Sequence, residues 1–263
     1  MRKRRMRARR PAAYASQSAP EARIATISHE LRTPLTSLSA SLGLLAGNPT
    51  WRLPPAARRL VAIAYANSER LIRLVNDLLD IETMQSGKAA FEVKRVSLGA
   101  LVEEAIDVNY GFAESCGVRL RLVATADDCA VDVDPDRFVQ ALTNLLSNAV
   151  KYSPPEADVD VIIEPRPHSV RIAVRDYGPG IPEDFKPRVF EEFARAASLD
   201  GRRRTGAGLG LSIAKTIVGR LGGTLTFADA AGGGTVFFLE LPSAAAAGRE
   251  RLEPRPAGTR HVA

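Results

Sequence analysis

The sequence has little cysteine, no long apolar run and, once its first residues are set aside, no excess charge of either sign. Its two cysteines, Cys116 and Cys129, form neither a metal-binding nor a redox spacing. This speaks against a disulfide-stapled secreted scaffold and suits buried thiols in a reducing compartment. No stretch approaches the roughly 18 apolar residues that would cross a bilayer, and no signal peptide is read. The expectation is a cytoplasmic protein. The formal net charge is +6, but residues 1–10 hold seven basic side chains (Arg2, Lys3, Arg4, Arg5, Arg7, Arg9, Arg10) and no acid. The remainder carries 29 basic and 30 acidic residues, so the body is near neutral and is not that of a nucleic-acid-binding domain. The arm suits an anionic membrane surface, which would make the protein membrane-associated, or nucleic acid; a solvated terminus is the commoner case.

What is present begins with two helical repeats. A chain of 263 residues can form two ordinary domains with real cores. Residues 1–20 read as the basic arm and a small, polar linker. A helix is expected from about Glu21 to Ala46, where Leu31, Leu35, Leu38, Leu42 and Leu45 recur at alternating steps of four and three. Gly47-Asn48-Pro49 stops it. A second helix, Pro55 to Gln85, repeats Leu60, Ala64, Asn67, Leu71, Leu74, Leu78 and Ile81 at the same steps. The domain 21–86 is therefore a hairpin. Its stripes are narrow and a lone hairpin buries little, so the economical solution is a four-helix bundle built by a homodimer.

From Phe91 to Pro242 the pattern is mixed. Strands are expected at 91–96, 118–123, 130–133, 159–163, 170–175, 224–228 and 235–241, and helices at 98–115, 134–151 and 209–221. This is an α+β domain with helices on one face of a mixed sheet. The tail 243–263, rich in Ala, Arg, Pro and Gly, is expected to be disordered.

Four short stretches carry candidate chemistry. In Ile27-Ser28-His29-Glu30-Leu31-Arg32-Thr33-Pro34-Leu35, His29 points away from the leucine seam, beside Glu30 and one turn before Thr33. Pro34 removes a backbone bond and should kink the helix there. Asn144 and Asn148 are four apart and share a helix face with Lys151; amide oxygens are hard neutral ligands suited to a phosphate-bound Mg²⁺. Asp176-Tyr177-Gly178-Pro179-Gly180-Ile181 follows an apolar strand, and the carboxylate suits an exocyclic amine such as that of adenine. Gly206-Ala207-Gly208-Leu209-Gly210-Leu211 leads into a helix whose free N–H groups suit phosphate. Alone, each is more often a surface histidine, an incidental amide pair, an Asp/Gly turn or a loose glycine run.

In this order the stretches resemble the catalytic core of the two-component sensor histidine kinases. SHELRTPL resembles the phospho-acceptor box, NLLSNAVKYS the asparagine box, DYGPGI and GAGLGLS the two glycine boxes, and VFEEF (Val189–Phe193) the phenylalanine box. The resemblance implies a dimeric four-helix bundle followed by an α/β-sandwich ATP-binding domain of the Bergerat type. It implies that His29 takes the γ-phosphoryl group of ATP, with Glu30 bonding the other ring nitrogen and accepting the proton. Asn144 and Asn148 would hold Mg²⁺, Lys151 and Tyr152 would contact the nucleotide, and Asp176 would read the adenine amine. Gly178, Gly180, Gly206, Gly208, Gly210 and Leu211 would shape the pocket and its lid, Ala194–Thr205, in which Arg202, Arg203 and Arg204 face phosphate or solvent. The implied partner is a response regulator receiver domain, and Thr33 would orient a water for its dephosphorylation. An ATPase of the same nucleotide fold is disfavoured because such enzymes lack a histidine hairpin in front; a scaffold that binds ATP without transfer is disfavoured because the polar residues are intact. The family usually places a sensor and membrane helices ahead of the hairpin. Here either a sensory partner or the arm supplies the input, or that region is missing from this sequence.

Overall fold

The computed structural model describes residues 18–47, 53–87, 89–124, 129–195 and 208–244, with the side chains of residues 18–32 and 85 set aside. Outside the described residues lie the arm, Gly206, the lid arginines Arg202, Arg203 and Arg204, the tail from 245, and the side chains of His29 and Glu30. The chain divides into two compact units, one ending at Ser86 and the other beginning at Gly87.

The first unit is a pair of helices, α1 (Ser18–Gly47) and α2 (Pro55–Gln85). Helix α1 is described from Ser18, within the expected linker, and includes Pro20. Pro34 lies inside α1, and α2 opens on Pro55. The pair runs antiparallel: Ser39 donates to the Glu69 carboxylate, while one turn further along α1 a Cβ on Gly43 would lie 3.2 Å from the Tyr65 ring. Small residues thus bring the helices together, with Ser39 and Ser68 buried between them. The leucine stripe only partly serves this contact. Leu38, Leu60 and Leu71 remain 52%, 68% and 44% exposed, so large apolar side chains on both helices stay open on the single hairpin.

In the second unit the order is β1 (Lys94–Ser97), α3 (Leu98–Ser115), β2 (Arg119–Ala124), β3 (Ala130–Val133), α4 (Pro135–Tyr152), β4 (Asp158–Pro165), β5 (Ser169–Arg175), α5 (Gly210–Arg220), β6 (Thr224–Asp229) and β7 (Thr235–Pro242). A five-stranded sheet has the order β2-β4-β5-β7-β6, with β2 and β4 parallel and the other pairs antiparallel; β1 and β3 form a separate antiparallel pair. The strands alternate. Val159, Val161 and Ile163, Val170, Ile172 and Val174, and Phe237, Leu239 and Leu241 are buried. Helix α4 packs between α3 and α5 and reaches β4 and β5, and its buried face carries Phe138, Leu142, Leu145, Leu146 and Ala149. The molecule is a helical hairpin followed by an α/β sandwich.

Three expectations need correction. The strand expected at 91–96 starts only at Lys94, because residues 89–92 spend their polar groups elsewhere: the Arg220 guanidinium bonds the Ala89 carbonyl at 3.0 Å and covers the Phe91 ring at 4.9 Å. The Glu92 N–H donates to Asp134 Oδ2 at 2.8 Å. The cysteines are free, as expected, but half-buried rather than enclosed; burial still pushes the Cys129 thiol up. The first residues of the tail are fastened. The Ser243 N–H donates to His168 O at 3.0 Å, and Ala244 is buried, its carbonyl 3.3 Å from Arg95.

Candidate active site

Helix α4 provides one wall. Asp134 caps it, accepting from the Arg137 N–H at 3.1 Å through Oδ1, while its other oxygen takes the Glu92 bond. The face opposite the core presents Asn144, Asn148 and Lys151, all half-exposed. The first turn of α5 comes against this face: a Cβ on Gly210 would lie 3.4 Å from Asn144 Oδ1. A Cβ there would rest in van der Waals contact with the amide, so glycine leaves more of the oxygen open. Gly210 and Leu211 are the first residues of α5, and its N-terminal N–H groups supply the positive end of a helix dipole.

The far end of α4 meets the Asp176 turn. Asp176 is only 4% exposed. Its Oδ1 accepts the Gly178 N–H at 2.9 Å and the Thr235 N–H at 3.2 Å, and its own N–H donates to Thr235 O at 2.9 Å. Burial pushes the carboxyl up, while the two N–H bonds and the charge of Arg175 pull it back. Gly178 cannot carry a side chain, because a Cβ would stand 2.5 Å from the Tyr152 carbonyl oxygen. Tyr152 lies eight residues beyond Asn144, about 12 Å along the helix, and the Lys151 ammonium sits 5.6 Å from its ring centroid.

Gly208 joins the two ends of the segment 196–207. It has φ +77°, and a Cβ there would be 2.6 Å from the Ala194 carbonyl oxygen. Just before this pinch, Phe190 packs edge-on against Phe227 and Phe237, with centroids 5.8 and 6.4 Å apart. The Lys215 ammonium of α5 lies over the Phe190 ring at 4.7 Å. The phenylalanine stretch thus anchors the chain entering 196–207 onto β6, β7 and α5.

The structure therefore brings Gly210, with Leu211 beside it, against Asn144 at the middle of α4, and Asp176 and Gly178 against Tyr152 at its C-terminal end; Gly208, two residues before Gly210, lies against Phe193 and Ala194. Gly180 belongs to the same turn, with a Cβ position 3.7 Å from Gly234 O. His29 and Glu30 are on the backbone of α1, and Thr33 is exposed there, all in the first unit. Sequence reasoning missed Gly234 and Thr235. Thr235 both donates to and accepts from Asp176, and a Cβ on Gly234 would stand 2.1 Å from the Asp176 carbonyl oxygen. The triple glycine at 232–234 was the available signal.

The chain thus places a helical hairpin before a sandwich in which an amide-bearing helix meets an Asp-Gly turn and a glycine-led helix. Residues 22–87 match the His Kinase A (phospho-acceptor) domain, and residues 133–245 match the histidine kinase-, DNA gyrase B- and HSP90-like ATPase family. The chain is 33% identical over 250 residues to the circadian input-output histidine kinase CikA of Synechococcus elongatus, covering 93% of this chain and 32% of that protein. It is 34% identical over 221 residues to the sensor histidine kinase WalK of Bacillus subtilis, covering 83% and 36%. Among solved structures, full-length ShkA in complex with AMPPNP superposes with a TM-score of 0.71 at 28% identity, covering 85% of this chain and 46% of that one. The chain spans about a third of the length of these two curated relatives. It belongs to the sensor histidine kinases and comprises their catalytic core.

Proposed function

We propose that this chain, as a homodimer, binds ATP with Mg²⁺ in its second unit, transfers the γ-phosphoryl group to His29, and passes it to an aspartate of a response regulator receiver domain. The observation that carries the reading is the Asp176 turn. A nearly buried carboxylate is fixed through one oxygen by two backbone N–H groups, an arrangement suited to accept from the adenine amine through the other. Lys151, Tyr152 and the amide-bearing face of α4 then run alongside the nucleotide, and the glycines at 178, 180, 206, 208 and 210 let backbone approach it.

Among the described residues no cluster of His, Cys, Asp and Glu could hold a metal. The candidate donors are the half-exposed carboxamides of Asn144 and Asn148, which fit an ion already carried by phosphate oxygens. Bound there, Mg²⁺ would offset phosphate charge. In the transfer, an imidazole nitrogen of His29 bonds to the γ-phosphorus as the bridging oxygen leaves with ADP, and Glu30 accepts the imidazole proton. In the reverse role on the partner, Thr33 orients the attacking water and Glu30 again handles the proton, giving phosphatase activity. The exposure of Leu38, Leu60 and Leu71 supports the dimer. The arm, seven basic residues in the first ten, serves an anionic membrane surface or a sensory partner rather than nucleic acid. No helix among the described residues is long and apolar enough to cross a membrane.

The test is incubation with γ-labelled ATP. Acid-labile, base-stable label on wild-type protein and none on His29→Gln, which should still bind ATP, is the expected result. Released phosphate without labelled protein would mean an ATPase, and neither product would mean a scaffold.

A further inference from the structure

The sheet has a second, solvent-side layer of contacts directly behind Asp176. On that side Asp160 of β4 stands opposite Arg175 of β5 in the antiparallel register and opposite Arg121 of β2 in the parallel one. The Tyr177 hydroxyl donates to Asp160 Oδ2 at 2.7 Å. The Arg175 guanidinium lies 4.5 Å from the Tyr177 ring centroid and donates to the Ala231 carbonyl at 2.7 Å. Ala231 belongs to the β6–β7 turn, which ends in Gly234 and Thr235, the residue that bonds Asp176. Asp160 is backed by Arg121 at 3.6 Å, and Arg121 by Asp158 at 2.6 Å.

Three consecutive residues are thus fastened to separate elements. Asp176 is tied inward to β7, Arg175 to the β6–β7 turn, and Tyr177 to β4. A bond from a hydroxyl to a carboxylate is among the stronger neutral-to-charged contacts, and Asp160 is largely buried, with 13% of its side chain exposed. Hydrogen bonds weaken steeply as the donor–acceptor angle falls, so rotation of this turn would misdirect the carboxylate oxygen left for the ligand. We infer that Tyr177 is a positioning residue for adenine recognition, holding the Asp176 carboxylate in line with the exocyclic amine through its bond to Asp160 and its contact with Arg175. This rests on the reading of Asp176 as the acceptor for that amine.

The experiment titrates the full chain calorimetrically with AMPPNP and with the corresponding purine analogue lacking the 6-amino group, and compares the ratio of the two affinities. Asp176→Asn should collapse the ratio. Tyr177→Phe should lower it about threefold to tenfold, the range of one partly exposed hydrogen bond, while affinity for the analogue stays within about twofold of wild type. Asp160→Ala should reproduce that change, and Asp160→Asn, which keeps an acceptor oxygen, should restore most of the ratio. The double variant Tyr177→Phe with Asp160→Ala should be no worse than either single one. If Asp176→Asn collapses the ratio but Tyr177→Phe and Asp160→Ala leave it unchanged, or weaken both nucleotides equally, the positioning role is refuted and the Asp176 reading stands. An unchanged ratio in Asp176→Asn would overturn both.

Discussion

Replacing Gly232 or Gly234 with alanine separates the general strain of a left-handed residue from damage to the Asp176 turn. Both glycines lie in one turn with nearly equal torsions, φ +85° and +87°, but a Cβ at 232 meets nothing within 4 Å, whereas at 234 it would stand 2.1 Å from Asp176 O and 2.9 Å from its carbonyl carbon. The shared part is the left-handed penalty of about 1–2 kcal/mol for an L side chain. For a domain of this size that corresponds to a fall in melting temperature of roughly 2–8 °C. Gly232→Ala should show that loss alone and bind ATP normally. Gly234→Ala adds an overlap with backbone that no rotamer change relieves, so the Asp176 peptide must move. The bond from its N–H to Thr235 O and the 3.2 Å bond to its carboxylate should both be disturbed. Loss of one or two buried hydrogen bonds adds about 1–3 kcal/mol, and ATP affinity should fall at least tenfold. Thermal unfolding and calorimetric titration of both variants provide the test. Equal melting temperatures and equal ATP affinities would refute the reasoning, because they would mean that the turn relaxes freely and does not position Asp176.

Four further outcomes are expected. Leu38→Glu with Leu60→Glu should turn a dimer into a monomer by light scattering at micromolar concentration without unfolding the protomer, since both side chains are exposed on it; a persisting dimer would place the interface elsewhere. Thr33→Ala should keep autophosphorylation and lose most dephosphorylation of a receiver partner, whereas equal loss of both would assign the residue to helix geometry. The carboxyl of Asp77 is pushed up to about 6, chiefly by burial and then by Asp80, against the pull of Arg73. The folded state therefore holds a proton that the unfolded chain has released, and stability should fall as pH rises from about 4 through 6; Asp77→Asn should flatten that slope in pH-dependent melting, and an unchanged slope would assign it to other groups. Wild-type protein should sediment with anionic vesicles in low salt and be released by high salt, and a chain starting at Pro20 that sediments equally would remove the arm from that role.

The sequence was most legible where one residue answers to its near neighbours. The expected helix over residues 98–115 is α3, the capped helix after Asp134 is α4, and the strand over 130–133 is β3, because periodicity, capping and burial agree there. The asparagine pair was readable for the same reason: four residues on a helix fix a face. Less legible was what two distant segments do to each other. The leucine stripe predicts that α1 and α2 pack, but not that Ser39, Gly43 and Ser68 make the contact and leave Leu38, Leu60 and Leu71 outside. A strand was expected over residues 91–96, where Phe91 and Val93 alternate with polar residues, yet Arg220 and Asp134, both far along the chain, claim the polar groups of 89–92.

The same division explains why Asp176 and Gly178 stand out in the sequence and their distant partners do not. An aspartate followed by glycines after an apolar strand is a local pattern. What holds this turn comes from elsewhere: an N–H fifty-nine residues on from Asp176 at Thr235, a carbonyl at the end of α4 that forbids a side chain on Gly178, and the Asp160 carboxylate, seventeen residues before Tyr177, which accepts from its hydroxyl. Two of the three contacts go to backbone atoms and ask for no particular side chain there; only the bond between Tyr177 and Asp160 does. Those two contacts depend on the backbone path, and path is carried by glycines. That is why Gly178 and Gly234, which offer no chemistry of their own, should be as intolerant of substitution as Asp176, whereas Gly232 in the same turn should not.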